Sequence, residues 1–181
     1  MQTLLPALSL VIGGARSGKS TFAERLVMGS GLAPVYVATA EAGDDPEMAA
    51  RIAAHKARRG RNWREVEAGR ALGAALGAAR PGEAVLIDCI TLWLTGILLA
   101  GDDLETAEEE LLAALRSCAA PVVVVSSEVG AGIVPENALA RRFRDAQGRL
   151  NQTLAARADL AVAVVAGLPL VLKGALPEAL R

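Results

Sequence analysis

The sequence predicts an α/β fold: a mostly parallel central sheet covered by helices on both faces. Three observations predict it. Short apolar runs rich in β-branched residues recur along the chain, separated by segments of helical length. The 52% apolar share is carried mainly by alanine, leucine and valine, with only 3% aromatics, which suits alanine-rich helices packed on a valine-rich sheet. A glycine-rich loop joins the first apolar run to a helical segment. At 181 residues the chain is expected to form one domain over 1–181, with enough length for a real core.

The elements follow in order. Leu8-Ser9-Leu10-Val11-Ile12 reads as a buried strand. Thr21 to Met28 continues in helical spacing, with Phe22, Leu26 and Val27 inward. Pro34-Val35-Tyr36-Val37-Ala38 is a second strand. Asp45-Pro46-Glu47 resembles an N-cap with proline at the first helical position, opening a helix to about Arg59. A short strand is expected over Trp63–Glu67. Ala84 to Asp88 is a buried strand and runs straight into a helix through Ala100. Leu104 to Arg116 is helical, with acids early and Arg116 late, as the helix dipole favours. Pro121-Val122-Val123-Val124-Val125-Ser126 is the clearest strand, since β-branched side chains stack well on a pleated surface. Asn137 to Arg157 carries Leu139, Phe143, Ala146, Leu150 and Leu154 on one stripe. Leu160–Val165 and Leu168–Lys173, joined through Gly167, suggest a terminal hairpin.

Gly13-Gly14-Ala15-Arg16-Ser17-Gly18-Lys19-Ser20 fits the P-loop pattern G-x-x-x-x-G-K-[ST], and strand and helix flank it as that motif requires. The spacing has a physical basis. Glycines let the backbone curl round an anion without Cβ clashes, so several N–H groups converge on one phosphate chain. Lys19 places a point charge on the outer phosphates, and Ser20 offers a hydroxyl to Mg²⁺. The positive end of the next helix faces the same anion. Ligands of parallel sheets lie beyond the carboxyl ends of the strands. That puts the P-loop, Thr39, Asp88 and Ser126–Glu128 on one rim.

Asp88 ends an apolar strand, the arrangement that holds Mg²⁺ in P-loop proteins; the bland alternative is a cap on the following helix. His55 is the sole histidine. It falls in the predicted helix among Arg51, Lys56, Arg58 and Arg59, a cationic face with one nucleophilic ring. Spacing alone favours a surface histidine on a solvated basic helix. Glu128 to Pro135 is a glycine-punctuated loop on the active rim, a crossover turn or a substrate loop. Arg141, Arg142, Arg144 and Asp145 fall on the polar side of the next helix.

The formal net charge of −1 sets up no global field for nucleic acid, and the basic run Arg51–Arg64 lacks interleaved aromatics. Two cysteines, Cys89 and Cys118, form neither a CxxC nor a zinc spacing, so a reduced cytoplasmic setting is expected. No secretory signal or membrane span is expected, since the longest apolar stretch, Ala84–Ala100, contains Asp88.

Taken in order, several segments resemble the bifunctional adenosylcobinamide kinase / adenosylcobinamide-phosphate guanylyltransferase family of cobalamin biosynthesis. They are Gly13–Ser20, Tyr36-Val37-Ala38-Thr39, Glu47-Met48-Ala49-Ala50-Arg51-Ile52 with His55-Lys56, and Asp88-Cys89-Ile90-Thr91. Glu128-Val129-Gly130-Ala131-Gly132-Ile133-Val134-Pro135-Glu136-Asn137 and Phe143-Arg144-Asp145 with Gly148-Arg149, Asn151 and Gln152 complete the set. The resemblance implies a RecA-like P-loop fold, a homotrimer, and two reactions. ATP or GTP would phosphorylate the aminopropanol hydroxyl of adenosylcobinamide. GMP would then pass from GTP through a covalent histidine intermediate to adenosylcobinamide phosphate, giving adenosylcobinamide-GDP. His55 and Lys19 are the implied catalytic residues. Some members carry paired histidines here, and this chain has Ala54 at the first position. The implied nucleotide contacts are Gly13, Gly14, Ala15, Arg16, Ser17, Gly18, Lys19, Ser20, Ala38, Thr39, Ala40, Lys56, Ala57, Arg58, Arg59, Glu67 and Asp88. Ser20 and Asp88 would hold Mg²⁺; Asp88 stands where some relatives have glutamate. The rival readings are a monofunctional small-molecule kinase and a regulatory nucleotide switch, and the absence of an N/T-K-x-D tetrad speaks against the switch.

Overall fold

The computed structural model describes residues 5–40, 49–50, 53–54, 56–57, 60 and 62–178. Seven strands form one sheet: β1 (Leu8–Gly13), β2 (Ala33–Ala38), β3 (Arg64–Glu67), β4 (Glu83–Asp88), β5 (Val122–Ser127), β6 (Leu160–Val165) and β7 (Leu168–Lys173). Their order across the sheet is β3-β2-β4-β5-β1-β6-β7. Every neighbouring pair is parallel except β6 and β7, which form the expected antiparallel hairpin. Its turn places Ala166 at φ 52° and Gly167 at φ 81°. Positive φ at two successive residues matches the right-handed twist of the flanking strands.

The described helices are α1 (Lys19–Met28), α2 (Leu72–Gly77), α3 (Ile90–Ala100), α4 (Leu104–Ser117) and α5 (Ala138–Arg157). Residues 49, 50, 53, 54, 56 and 57 are also helical. The rest of the helix expected between Asp45 and Arg59 lies outside the described residues.

Alternation along the strands divides the core in two. On one face Val35, Val37, Val85, Ile87, Val122 and Val124 meet α2 to α5, with Trp93, Leu94, Leu150 and Leu154 packed among them. On the other face Val11, Tyr36, Leu86, Val123, Val125 and Val162 meet Phe22, Leu26 and Val27 of α1. The four buried valines of β5 show why that run is a strand. Both faces of the central strand are covered, so consecutive β-branched residues are all inside. Tyr36 and Trp63 pack edge-to-face on the α1 side, with ring centroids 6.1 Å apart.

Helix ends follow their local chemistry. Asp103 caps α4 by accepting from the Thr106 N–H, and Asn137 caps α5 by accepting from the Leu139 and Ala140 N–H groups. Gly101, left-handed at φ 74°, ends α3. One expectation needs adjustment, and one element is new. The α5 stripe begins at Phe143, not Leu139, which is 46% exposed in the first turn where the helix leaves an exposed loop. Helix α2 has no counterpart in the sequence reading, because its Ala- and Gly-rich residues give little polar contrast.

Candidate active site

The P-loop connects the carboxyl end of β1 to the start of α1. Gly13 has no room for a side chain: a Cβ there would meet Ser17 Oγ and come within 2.6 Å of the Val164 carbonyl oxygen. Gly18, at φ 92°, stands at the N-cap of α1. No side chain caps this helix, and its first turn holds no acid. The unpaired N–H groups there suit an anion. Ser17 Oγ is buried and makes no hydrogen bond among the described residues, as fits a loop built for a ligand. Lys19 Nζ donates to the Gly14 carbonyl at 3.1 Å, folded back over the loop. Ala15 and Arg16 are exposed on the outer side of the turn.

The hairpin turn between β6 and β7 supports the loop from beneath. The Gly167 N–H donates to the Ser17 carbonyl at 2.8 Å, and a Cβ on Gly18 would lie 3.2 Å from Gly167 Cα.

Asp88 closes β4, two strands from β1, and its carboxylate lies on the α1 face of the sheet. Ser20 Oγ donates to Asp88 Oδ1 at 3.3 Å across 68 residues of sequence. The N-cap position of α3 is taken by Cys89, one residue beyond Asp88. Two hard oxygen donors at the phosphate end of a P-loop suit Mg²⁺, which takes oxygen ligands from one or two side chains and completes its shell with water and phosphate. Burial, followed by the negative charge of Asp88, pushes the Cys89 thiol pKa up, so this sulfur stays protonated at neutral pH.

Thr39 is buried just beyond β2. Its hydroxyl donates to the Cys89 carbonyl at 2.6 Å and accepts from the Cys89 N–H at 3.1 Å. It therefore braces the residue that follows Asp88. Ala38 pairs with Glu67 of β3, and Ala40 lies half-buried where the chain leaves the strand. Glu67 stands exposed on the edge strand, with β2 between it and Asp88. Lys56 pairs with Glu65 of β3 at 2.7 Å. Glu65 is in register with Tyr36, whose ring lies in the core on the α1 face, so this ion pair is on the phosphate side of the sheet. Ala57 is helical and exposed. His55, Arg58 and Arg59 lie outside the described residues.

The structure joins Ser126 and Asn151, both singled out in the sequence, to Gln147, which was not, in a polar cluster behind β5. Ser126 Oγ donates to Asn151 Oδ1 at 2.5 Å, and Gln147 Nε2 donates to both Ser126 Oγ and Asn151 Oδ1 at 3.0 Å. A signal was available: Gln147 and Asn151 stand four residues apart on the same inward face as Leu150 and Leu154. Polar groups at core positions need partners.

A mostly parallel α/β sheet, with a glycine loop and uncapped helix at one strand end and a carboxylate two strands away, defines a P-loop nucleotide-binding protein. The model of the cobinamide kinase / cobinamide phosphate guanyltransferase family matches residues 9–172, and the chain belongs to that family. It is 49% identical to the bifunctional adenosylcobalamin biosynthesis protein CobP of Pseudomonas aeruginosa over 168 residues, covering 91% of this chain and 96% of that protein. It is 46% identical to the bifunctional adenosylcobalamin biosynthesis protein CobU of Salmonella typhimurium over 180 residues, covering 91% of this chain and 98% of that protein. Against CobU of Escherichia coli the identity is 44% over 180 residues, with the same coverage of 91% and 98%. Among solved structures the RadB recombinase is similar at a TM-score of 0.46 and 21% identity, covering 88% of this chain and 74% of that one. No described helix is long and apolar enough to cross a membrane.

Proposed function

We propose that this chain, as one domain over residues 1–181, phosphorylates adenosylcobinamide with ATP or GTP and then transfers GMP from GTP to adenosylcobinamide phosphate in the cytoplasm. The observation that supports this most is the family match over residues 9–172, which encloses a P-loop joined to Asp88 through Ser20.

The proposed chemistry places both transfers at one nucleotide site. The loop amides of Gly13 to Ser20 hold the phosphates, and Lys19 swings from the Gly14 carbonyl to the outer ones. Mg²⁺, held by Ser20 and Asp88, would neutralise charge on the phosphate oxygens. In the kinase step the acceptor hydroxyl attacks the γ-phosphorus and the nucleoside diphosphate leaves. In the guanylyl step a neutral His55 imidazole attacks the α-phosphorus. A P–N bond forms as the α–β P–O bond breaks, and pyrophosphate leaves. A phosphate oxygen of adenosylcobinamide phosphate then takes the GMP and frees the imidazole. Ala38, Thr39, Ala40, Lys56, Ala57, Arg58, Arg59 and Glu67 are the proposed surroundings of the guanosine. The Thr39 hydroxyl contributes through Cys89, because both of its hydrogen bonds go there.

The acceptor is proposed to lie against the loop 128–135, where Ile133 and Val134 are 97% and 59% exposed beside the P-loop rim. A homotrimer is proposed as well. Leu168, Leu170 and Leu172 of the edge strand β7 are all exposed, as apolar side chains that await a neighbour would be. Light scattering behind a sizing column tests the trimer; a monomer at micromolar concentration would refute it.

The test of function is incubation with Mg²⁺ and GTP labelled at the α-phosphate, beside His55→Ala. An acid-labile, alkali-stable label on the parent protein and none on the variant is expected. Label on neither would remove the histidine intermediate and leave a plain P-loop kinase.

A further inference from the structure

Strand β5 lies between β4, which ends in Asp88, and β1, which ends in the P-loop. Whatever joins the P-loop to Asp88 on the α1 face must pass over the carboxyl end of β5. The residue there is Ser127. It is in register with Gly13, and Asp88 is in register with Val125, so Ser127 stands two residues further toward the rim than Asp88. Alternation decides the face. Val123 and Val125 pack on the α1 side, while Val122 and Val124 pack on the opposite side, where Ser126 meets Gln147 and Asn151. Ser127 therefore shares the face of Asp88 and Gly13.

Its backbone is held from three directions. The Ser127 N–H donates to Thr91 Oγ1 of α3 at 2.8 Å. The Ser127 carbonyl accepts from Asn151 Nδ2 of α5 at 3.2 Å. The next N–H, of Glu128, donates to the Gly13 carbonyl at 3.0 Å. Asn151 is itself oriented by Ser126 and Gln147, and all three are buried. None of these bonds uses the Ser127 hydroxyl. The neighbouring Glu128 carboxylate is turned onto its own loop, where Oε1 accepts from the Gly130 N–H at 2.6 Å.

We propose that the Ser127 hydroxyl contacts the terminal phosphate of the bound nucleoside triphosphate, and that Thr91 and Asn151 are positioning residues for it. The reading rests on the nucleotide site proposed at Gly13–Ser20. The terminal phosphate is the fit because the loop amides serve the inner phosphates, while the Ser20–Asp88 end, which β5 adjoins, serves the outer ones. A rigid strand end aims a donor at an anion without paying for side-chain ordering on binding.

The experiment is binding in the presence of Mg²⁺. Two ligands are compared: GTP carrying a methylene between its α- and β-phosphates, which cannot be split there, and GDP carrying the same methylene. The proteins are the parent chain, Ser127→Ala, Ser127→Thr, Thr91→Val and Lys19→Ala. Ser127→Ala is expected to weaken the triphosphate about tenfold, the worth of one hydrogen bond to a charged group, and to leave the diphosphate within about twofold. Ser127→Thr is expected to restore the preference, and Thr91→Val to lose part of it. A general structural defect would weaken both ligands together. An unchanged ratio of triphosphate to diphosphate affinity in Ser127→Ala, with Lys19→Ala weak for both, would overturn the role of Ser127 alone. Parent-like binding of both ligands by Lys19→Ala would instead overturn the nucleotide site, and the role of Ser127 with it.

Discussion

Thr39 holds Cys89 by both of its backbone polar groups, donating to the carbonyl at 2.6 Å and accepting from the N–H at 3.1 Å. A side chain at the end of β2 thus fixes the peptide that follows the Asp88 carboxylate on β4. Thr39→Val keeps the shape and loses both bonds, leaving the part-buried Cys89 N–H unpaired and the carbonyl with only its 3.4 Å bond from the Trp93 N–H. The expected cost is about 1–3 kcal/mol of stability. Because Asp88 loses its brace, the Mg²⁺ concentration for half-maximal activity is expected to rise, while Thr39→Ser stays close to the parent. Urea denaturation and a Mg²⁺ titration of the kinase reaction check the two halves. Unaltered Mg²⁺ dependence in Thr39→Val would make Thr39 a purely structural clamp.

Two glycines separate backbone strain from steric contact. Gly31 and Gly174 both have positive φ, 73° and 76°. A Cβ on Gly31 meets nothing within 4 Å, whereas one on Gly174 would collide with the Asp159 carbonyl. Gly31→Ala is expected to cost about 1 kcal/mol, the left-handed penalty alone. Gly174→Ala adds the collision and is expected to cost ~3 kcal/mol. Denaturant midpoints at constant m-value report the difference; equal losses would show that the chain after β7 gives way freely.

Glu83 is a pH-dependent fastener of the sheet edge. Arg64 of β3 donates to both of its oxygens, at 2.8 and 2.9 Å, with β2 lying between the two strands. Burial alone would raise the Glu83 pKa. The Arg80 N–H, the Arg64 hydrogen bonds and the two arginine charges outweigh it and hold the value below the ordinary 4.5. A folded-state pKa below the unfolded one favours the fold only while the carboxylate is ionised. The stabilisation is therefore complete above the ordinary carboxylate range and fades as pH falls through the lowered value. Glu83→Gln is expected to melt lower than the parent at pH 7, and the gap is expected to close as pH falls through the lowered value. A gap that persists in acid would assign the effect to packing.

How much of this could be read in advance depends on how far apart the partners are in sequence. The strands were legible because β-branched runs such as Val122–Val125 need no long-range information. The P-loop was legible because its anion cradle is built from consecutive residues. The Ser20–Asp88 contact spans 68 residues, yet it could be read, because each residue carries its own local pattern. The Ser127–Thr91 and Ser127–Asn151 contacts have no such pattern. They exist only because parallel register brings β5, α3 and α5 to one rim. Thr39 shows the same limit: the sequence places it at the nucleotide, and the fold sends its hydroxyl to Cys89. Helix α2 escaped notice because Leu72-Gly73-Ala74-Ala75-Leu76-Gly77 has no charged face to mark a period, and only Leu72 and Leu76 are buried.

The loop 128–135 offers the last prediction, because it pairs exposure with rigidity. Arg141 of α5 donates to the Pro135 and Glu136 carbonyls at 2.9 and 2.5 Å, pinning the far end of the loop, while Glu128 pins the near end through Gly130. Between these anchors Ile133 is 97% exposed, so its side chain contributes nothing to the core. Ile133→Asp is accordingly expected to leave stability within about 0.5 kcal/mol. If the acceptor packs on this loop, an apolar contact worth an isoleucine side chain is lost, and KM for adenosylcobinamide is expected to rise about tenfold. Labelling of the protein by GTP involves no acceptor and is expected to stay at the parent level. The two readouts together are decisive: a raised acceptor KM with intact labelling assigns the loop to the acceptor, and unchanged values for both place the acceptor elsewhere on the rim.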